Sequence, residues 1–127
     1  MNLDENKIKR ELFNKGLEAY NKRQFYDAHE HWEDLWSDYV LPDAKFVQAL
    51  IQLSVGYFHI TNNNRNGANG LLKKCVPKFK MYLPIKRGID VGAILDQVSA
   101  SLENLKSIDN ITDFNWDLVK KIKINNE

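Results

Sequence analysis

Hydrophobic residues recur along this chain at intervals of three or four positions, which is the spacing of α-helices that bury one face. Five such stretches predict helices over residues 6–22, 25–40, 43–60, 67–82 and 90–106. Pro42 follows the second stretch, Pro77 predicts a kink or an early end within the fourth, and Asp90 is a suitable N-cap for the fifth. No pair of strands joined by a hairpin turn is indicated. The predicted fold class is therefore all-α, with about five helices in a compact bundle.

The arrangement of the helices follows from their apolar faces. The third stretch is apolar nearly all round, so we expect this helix to be central and buried. The first two helices are expected to form an antiparallel hairpin, and Gly16 and Ala28 resemble the small residues at the helix contact of a tetratricopeptide-type hairpin. No second copy of this unit follows, so a repeat array is not predicted. Residues 107–127 are expected to dock as a short extra helix or to remain loose.

Length and composition narrow the class of protein. The chain has 127 residues, enough for a single domain over 1–127, and 43% of them are hydrophobic, as in a globular protein. Cys75 is the only cysteine, which excludes an internal disulfide and a cysteine-rich zinc site. No apolar run is long enough for a transmembrane helix, and the charged N-terminus lacks a signal-peptide core. We expect a cytoplasmic protein with no membrane partner.

Charge is unevenly distributed, although the net charge is only +1. Residues 44–89 contain eight basic and no acidic residues, whereas both flanking segments are acidic. This segment either pairs with the acidic flanks or forms a basic surface that attracts an anion or a nucleic acid. A nucleic-acid surface would consist of Lys73, Lys74, Lys78, Lys80, Lys86 and Arg87. Arg65, Asn66 and Gly67 are a candidate anion site at the start of the fourth helix, with a plain turn as the alternative.

The candidate site residues occur on the second and third helices. On the second helix, His29 and Glu33 project from the apolar face between aromatic residues, and Glu30 lies at its border. On the third helix, three polar side chains share one stripe: Gln48, Gln52 and His59. Because a buried polar group needs a partner, we expect this stripe to face His29 and Glu33 and to form a polar pocket between the two helices.

Several interpretations of this pocket stay open. It could be a structural network that fixes helix register, a pocket for a small polar ligand, or a divalent-metal site with His29, Glu33 and His59 as ligands. Glu33 or His29 could also act as a general acid or base without a metal. The leading interpretation is a binding or accessory module for a small polar ligand or a protein partner. The alternatives are a metal-dependent hydrolase and a nucleic-acid accessory protein. The sequence does not determine whether the protein catalyses a reaction or whether it forms a homodimer.

The same residues form a recognisable combination of motifs. They read Phe25-x-x-Ala28-His29-Glu30-x-x-Glu33-x-x-Trp36, then Gln48-x-Leu50-Ile51-Gln52, Tyr57-x-His59 and Asn66-Gly67-Ala68. This combination resembles the domain-of-unknown-function family 309, a family of small all-helical cytoplasmic proteins. Asp27, Ala49 and Asn66 stand where the family has Glu, Gly and Arg. The resemblance covers about residues 10–106 and implies the helical fold, but it implies no activity.

Overall fold

The computed structural model describes residues 3–125 of the chain. Within them lie five α-helices: α1 (Leu3–Asn21), α2 (Phe25–Asp38), α3 (Ala44–Thr61), α4 (Arg65–Lys80) and α5 (Val91–Ser107). Each helix packs against the next one along the chain. The predicted all-α fold class is confirmed.

Helix α3 is the centre of the bundle because it packs against both α2 and α4. Phe46, Leu50, Leu53 and Tyr57 on this helix have no exposed surface. Val47 and Ala49, which are also fully buried, lie about 160° apart around the helix axis, so the nearly continuous apolar sequence corresponds to burial on several sides. None of the helices within residues 3–125 combines the length and the apolar character needed to cross a membrane.

Helices α1 and α2 approach closely at Gly16. A Cβ atom at this position would lie 2.3 Å from Nε1 of Trp32, so any side chain would displace the buried indole. The indole N–H donates a hydrogen bond to the carbonyl oxygen of Phe13 at 3.0 Å. The glycine therefore lets a large aromatic side chain fill the space between the two helices.

A short β-hairpin precedes α5, contrary to the prediction that the chain has none. Its strands, β1 (Ile85–Lys86) and β2 (Ile89–Asp90), pair antiparallel. Arg87 and Gly88 form the two-residue turn, with left-handed φ values of 53° and 73°. Strands of two residues carry no alternating hydrophobic pattern, and arginine is an uncommon first residue for such a turn. The hairpin was therefore not predictable from the sequence.

The capping interactions explain where the later helices begin. Asn64 Oδ1 accepts a hydrogen bond from the Gly67 N–H at 2.9 Å, so α4 starts at Arg65, two residues before the predicted position. The helix continues through Pro77 to Lys80. Asp90 Oδ1 accepts a hydrogen bond from the Ala93 N–H, and this confirms the predicted N-cap of α5.

The segment after α5 docks on the bundle, but not as an α-helix. It forms two 3₁₀ turns, Ile111–Asp113 and Trp116–Leu118, and its described part then continues without regular secondary structure to Asn125. Three of its apolar side chains are buried: Phe114, Val119 and Ile122. The Asn21 side chain exchanges two hydrogen bonds with the backbone of Ile122, at 2.8 and 2.9 Å. We call residues 108–125 the docked tail.

Candidate functional site

The buried face of α2 is centred on Trp32. The buried side chains of this helix are Phe25, Ala28, Trp32 and Leu35. A turn of about 100° per residue places His29 about 60° and Glu33 about 100° from Trp32. His29 is accordingly half-buried and Glu33 is exposed. The prediction that Glu33 projects from the apolar face was wrong, because it took His29 rather than Trp32 as the centre of that face.

The exposed part of α2 carries a depression of about 350 Å³. Its lining residues are His29, Glu30, His31, Glu33 and Asp34. Nδ1 of His29 lies 3.0 Å from the carbonyl oxygen of Tyr26, and the two rings are 5.1 Å apart between centroids. We call this set of lining residues the α2 depression. It brings together three of the predicted site residues: His29, Glu30 and Glu33.

The predicted polar stripe on α3 lies at half-buried positions. Gln48, Gln52 and His59 are all partly exposed, and none of them lines the α2 depression. The Oε1 atom of Gln52 is buried and has no hydrogen-bond partner within the described chain. Nδ1 of His59 lies 3.3 Å from Nδ2 of Asn64, and a Cβ on Gly67 would come within 2.8 Å of the His59 ring. Gly67 thus leaves space for this imidazole.

The structure does not assemble the predicted metal ligands. Across residues 3–125, no three His, Cys, Asp or Glu side chains are placed so that they could hold a metal ion. His29 and Glu33 lie in the α2 depression, whereas His59 packs against Gly67 at the start of α4. The three-ligand site of a metal-dependent hydrolase is therefore not present in this arrangement of side chains.

The predicted anion site is used for contacts within the protein. The guanidinium group of Arg65 donates hydrogen bonds to backbone carbonyl groups at the end of α5 and just beyond it. The acceptors are the carbonyl oxygens of Leu105, Ile108 and Asp109. The Gly67 N–H donates to Asn64, and Asn66 is exposed. Since two of the three predicted groups have other partners, the segment serves as a turn and helix start.

Residues 13–71 match the model of a family described as Domain of unknown function (DUF309). The expected family resemblance is confirmed over these residues, which we call the DUF309 segment, whereas the motifs had predicted a longer match over about residues 10–106. None of the curated proteins matches the chain. The DUF309 segment runs from α1 into the first half of α4, so it contains the α2 depression and the polar stripe on α3. Helix α5 and the docked tail lie outside it.

A partly buried polar network connects the DUF309 segment to α5 and the docked tail. The hydroxyl groups of Tyr57 and Ser101 lie 2.9 Å apart. Nε2 of Gln97 donates to the hydroxyl oxygens of Tyr20 and Tyr57 at 3.1 and 3.0 Å, and its Oε1 accepts from the Lys120 N–H at 2.7 Å. We call these five residues the tyrosine network. Sequence reasoning missed it, and the available signal was a buried tyrosine, whose hydroxyl needs a partner.

Burial keeps the tyrosines of this network neutral. It raises the pKa of Tyr57 to about 12, although the hydrogen bonds from Ser101 and Gln97 act in the opposite direction. Burial and the nearby Tyr57 raise the pKa of Tyr20 well above its ordinary value. Both hydroxyl groups therefore act as hydrogen-bonding groups within the bundle, and neither is placed to supply a phenolate at neutral pH.

Asp43 and Arg87 form an ion pair between the start of α3 and the hairpin. Nε of Arg87 lies 2.6 Å from Oδ2 of Asp43, and the second guanidinium nitrogen lies 2.9 Å from Oδ1. The guanidinium also lies over the ring of Phe13. Burial alone would raise the pKa of Asp43, but the hydrogen bonds and the charge of Arg87 lower it below its ordinary value of 3.8. Asp43 thus binds Arg87 instead of capping α3 with its side chain.

Only part of the basic central segment finds acidic partners. Arg87 pairs with Asp43, whereas Lys86 lies near the ring of Tyr82. Four lysines of α4 make no ion pair with any residue of the described chain: Lys73, Lys74, Lys78 and Lys80. The nucleic-acid alternative stays a prediction, without its proposed contribution from Arg87.

Proposed function

We propose that this protein is a non-catalytic binding module whose α2 depression binds a positively charged group of a small polar ligand or of a protein partner. The observation that carries the proposal is the set of three carboxylates around one concave surface: Glu30, Glu33 and Asp34. All three side chains are exposed. None of them makes an ion pair with residues 3–125.

Grouping like charges on a concave surface favours a ligand of the opposite charge. Three carboxylates within one turn of helix repel each other, and their summed potential attracts cations. No lysine or arginine lines the depression, and its only basic side chains are the imidazoles of His29 and His31. A bound cation would compensate the repulsion, and salt would weaken its binding.

Two exposed aromatic residues of α2 support the same ligand chemistry. Tyr26 is 50% exposed and Trp36 is 38% exposed, which is high for side chains of this size. Tyr26 lies three and four positions before His29 and Glu30, and Trp36 lies three positions after Glu33, so each shares a helix face with the depression. Aromatic faces attract cations, and an alkylammonium group between rings and carboxylates would gain from both.

The polar stripe on α3 lies apart from the α2 depression on which this proposal rests. Gln48, Gln52 and His59 do not line the α2 depression, and their membership of the binding site stays a prediction. The unpaired Oε1 atom of Gln52 is an acceptor that a ligand reaching from α2 to α3 could satisfy.

The test is an NMR titration of the full chain with spermidine and, separately, with a hexalysine peptide. We expect backbone amide shifts on α2 around residues 26–36. The double variant Glu30→Gln/Glu33→Gln should bind about tenfold more weakly, since each lost charge pair is worth about 0.5–1 kcal/mol. Raising the salt concentration should weaken ligand binding by the wild-type protein more than ligand binding by the variant.

A matched control separates the site from net charge. Glu11 and Glu18 are exposed on α1, and Glu11→Gln/Glu18→Gln removes the same two charges away from the depression. We expect the affinity of this control variant for spermidine to lie within about twofold of the wild-type affinity. Equal weakening in both double variants, or shifts spread over the whole surface, would contradict a specific site on α2.

A further inference from the structure

A second concave surface lies between α5 and the docked tail, outside the DUF309 segment. It is a groove of about 500 Å³, which is within the usual range for small-molecule sites. Its apolar lining consists of Ile89, Ala93, Ile94, Leu118 and Ile122. We call it the tail groove.

The two N–H groups of the Gln97 amide, which lines the tail groove, are not available to a ligand. Gln97 lines the groove, but both N–H groups of its amide donate to Tyr20 and Tyr57. Its carbonyl oxygen accepts from the Lys120 N–H. Only the second lone pair of this oxygen stays open, so Gln97 offers a ligand no hydrogen-bond donor, and this part of the wall suits an alkyl chain.

Two hydrogen bonds hold the tail against the bundle along most of the tail groove. One joins the Lys120 N–H to Gln97, and the other joins the Asn125 N–H to the carbonyl oxygen of Gly88 at 2.8 Å. The five residue steps between these contacts span at most about 17 Å of extended chain. A cavity of about 500 Å³ beside a tail held over this length fits a small molecule better than a long polypeptide.

The two sides of the tail groove carry opposite charges. The tail side has Lys120, Lys121 and Lys123, and the α5 side has Asp90 and Asp96. Asp90 already accepts the Ala93 N–H as the N-cap of α5, so its carboxylate is engaged. None of the three lysines makes an ion pair with the described residues. The tail side can therefore hold an anionic head group next to an apolar lining.

We propose that the tail groove binds a medium-chain carboxylate, with its alkyl chain along the apolar lining and its carboxylate at the tail lysines. The site is independent of the α2 depression, since no residue lines both. The test is an NMR titration with dodecanoate below its micelle concentration, and dodecyltrimethylammonium serves as the probe of opposite charge. We expect saturable shifts at residues 89–97 and 118–125 with the anion and at least fivefold weaker binding of the cation.

Removing positive charges and removing negative charges from the tail groove should change the affinity for dodecanoate in opposite directions. Lys121→Gln/Lys123→Gln should weaken dodecanoate binding about fivefold, and Asp96→Asn should strengthen it about twofold, because exposed charge pairs contribute a few tenths to 1 kcal/mol. Lys73→Gln/Lys74→Gln on α4 removes the same charge elsewhere and should leave the affinity within twofold. All these side chains are exposed, so the variants should fold.

Several results would overturn the proposal. They are the absence of saturable shifts, equal affinity for both detergents, and equal weakening by the two double lysine variants. Tighter binding of a hexaglutamate peptide than of dodecanoate at the same residues would also overturn it, because it would identify an acidic protein segment as the occupant.

Discussion

The α2 depression and the tyrosine network place their polar groups in opposite surroundings. In the depression, Glu30 and Glu33 face solvent and form no ion pair with the described chain. In the network, the Tyr57 hydroxyl has two partners and the side chain has no exposed surface. The pair of the buried Asp43 and the half-buried Arg87 resembles the network, because both of its groups are also engaged.

The difference separates polar groups that stabilise the fold from those that remain available to a ligand. A buried polar group without a partner is costly, so the groups of the tyrosine network and of the Asp43–Arg87 pair are satisfied within the protein, and their loss affects stability. An exposed group contributes little to stability and is free to bind. Variants of the buried groups should therefore change the free energy of unfolding, and variants of the depression should change affinity.

The largest expected effect is the loss of the Asp43–Arg87 pair. Asp43→Asn leaves the guanidinium of the half-buried Arg87 without its counter-charge, and we expect the free energy of unfolding to fall by about 2–3 kcal/mol, less than for a fully buried pair. Urea denaturation at pH 7 would measure this. The exposed change Asp96→Asn is the control, with an expected effect below about 0.5 kcal/mol.

The same pair predicts a pH dependence. The pKa of Asp43 is lower in the folded protein than in the unfolded chain, so its stabilising contribution is complete above the unfolded value and is lost as the pH falls through the folded value. The stability difference between wild type and Asp43→Asn should be constant from pH 7 to about 5 and should shrink below 3.8. A difference that stays constant into strong acid would show that the charge of Asp43 does not contribute.

A smaller loss of stability is expected at the centre of the tyrosine network. Gln97→Ala removes the amide that binds Tyr20, Tyr57 and the backbone of the docked tail, and we expect a loss of about 2 kcal/mol. Hydrogen exchange of the Lys120 amide should accelerate, because its acceptor is gone. Gln24→Ala is a matched control, since that exposed side chain makes no cap hydrogen bond. Equal exchange at Lys120 in wild type and variant would contradict the role of Gln97 in holding the tail.

The fold was predictable from sequence to the extent that it depends on helical periodicity. The apolar spacing predicted five helices, and the nearly all-apolar third stretch predicted a central α3. The hairpin and the path of the docked tail were not predictable in this way. They depend on the left-handed backbone at Arg87 and on the side-chain amide of Asn21, and neither leaves a periodic pattern.

The candidate site was predictable only in part. The motif around His29 and Glu33 selected three residues that line the α2 depression, but the angular estimate placed them too far inward. An error of about 60° in the centre of a helix face is enough to exchange buried and exposed positions. The tyrosine network joins residues up to 100 positions apart, Tyr20 to Lys120 through Gln97, and helix periodicity gives no information about such contacts.

The smallest expected effect on stability is at Glu33, which gives the clearest test of the difference between the α2 depression and the tyrosine network. Glu33→Gln keeps the shape of the side chain and removes one exposed, unpaired charge, so the free energy of unfolding should change by less than about 0.5 kcal/mol. The same variant should bind spermidine more weakly, whereas Gln97→Ala should lose stability and keep its affinity for spermidine. If Glu33→Gln instead lost about 3 kcal/mol, Glu33 would have to belong to a buried ion pair. The division between stabilising and available polar groups would then be wrong at the residue on which the proposed function most depends.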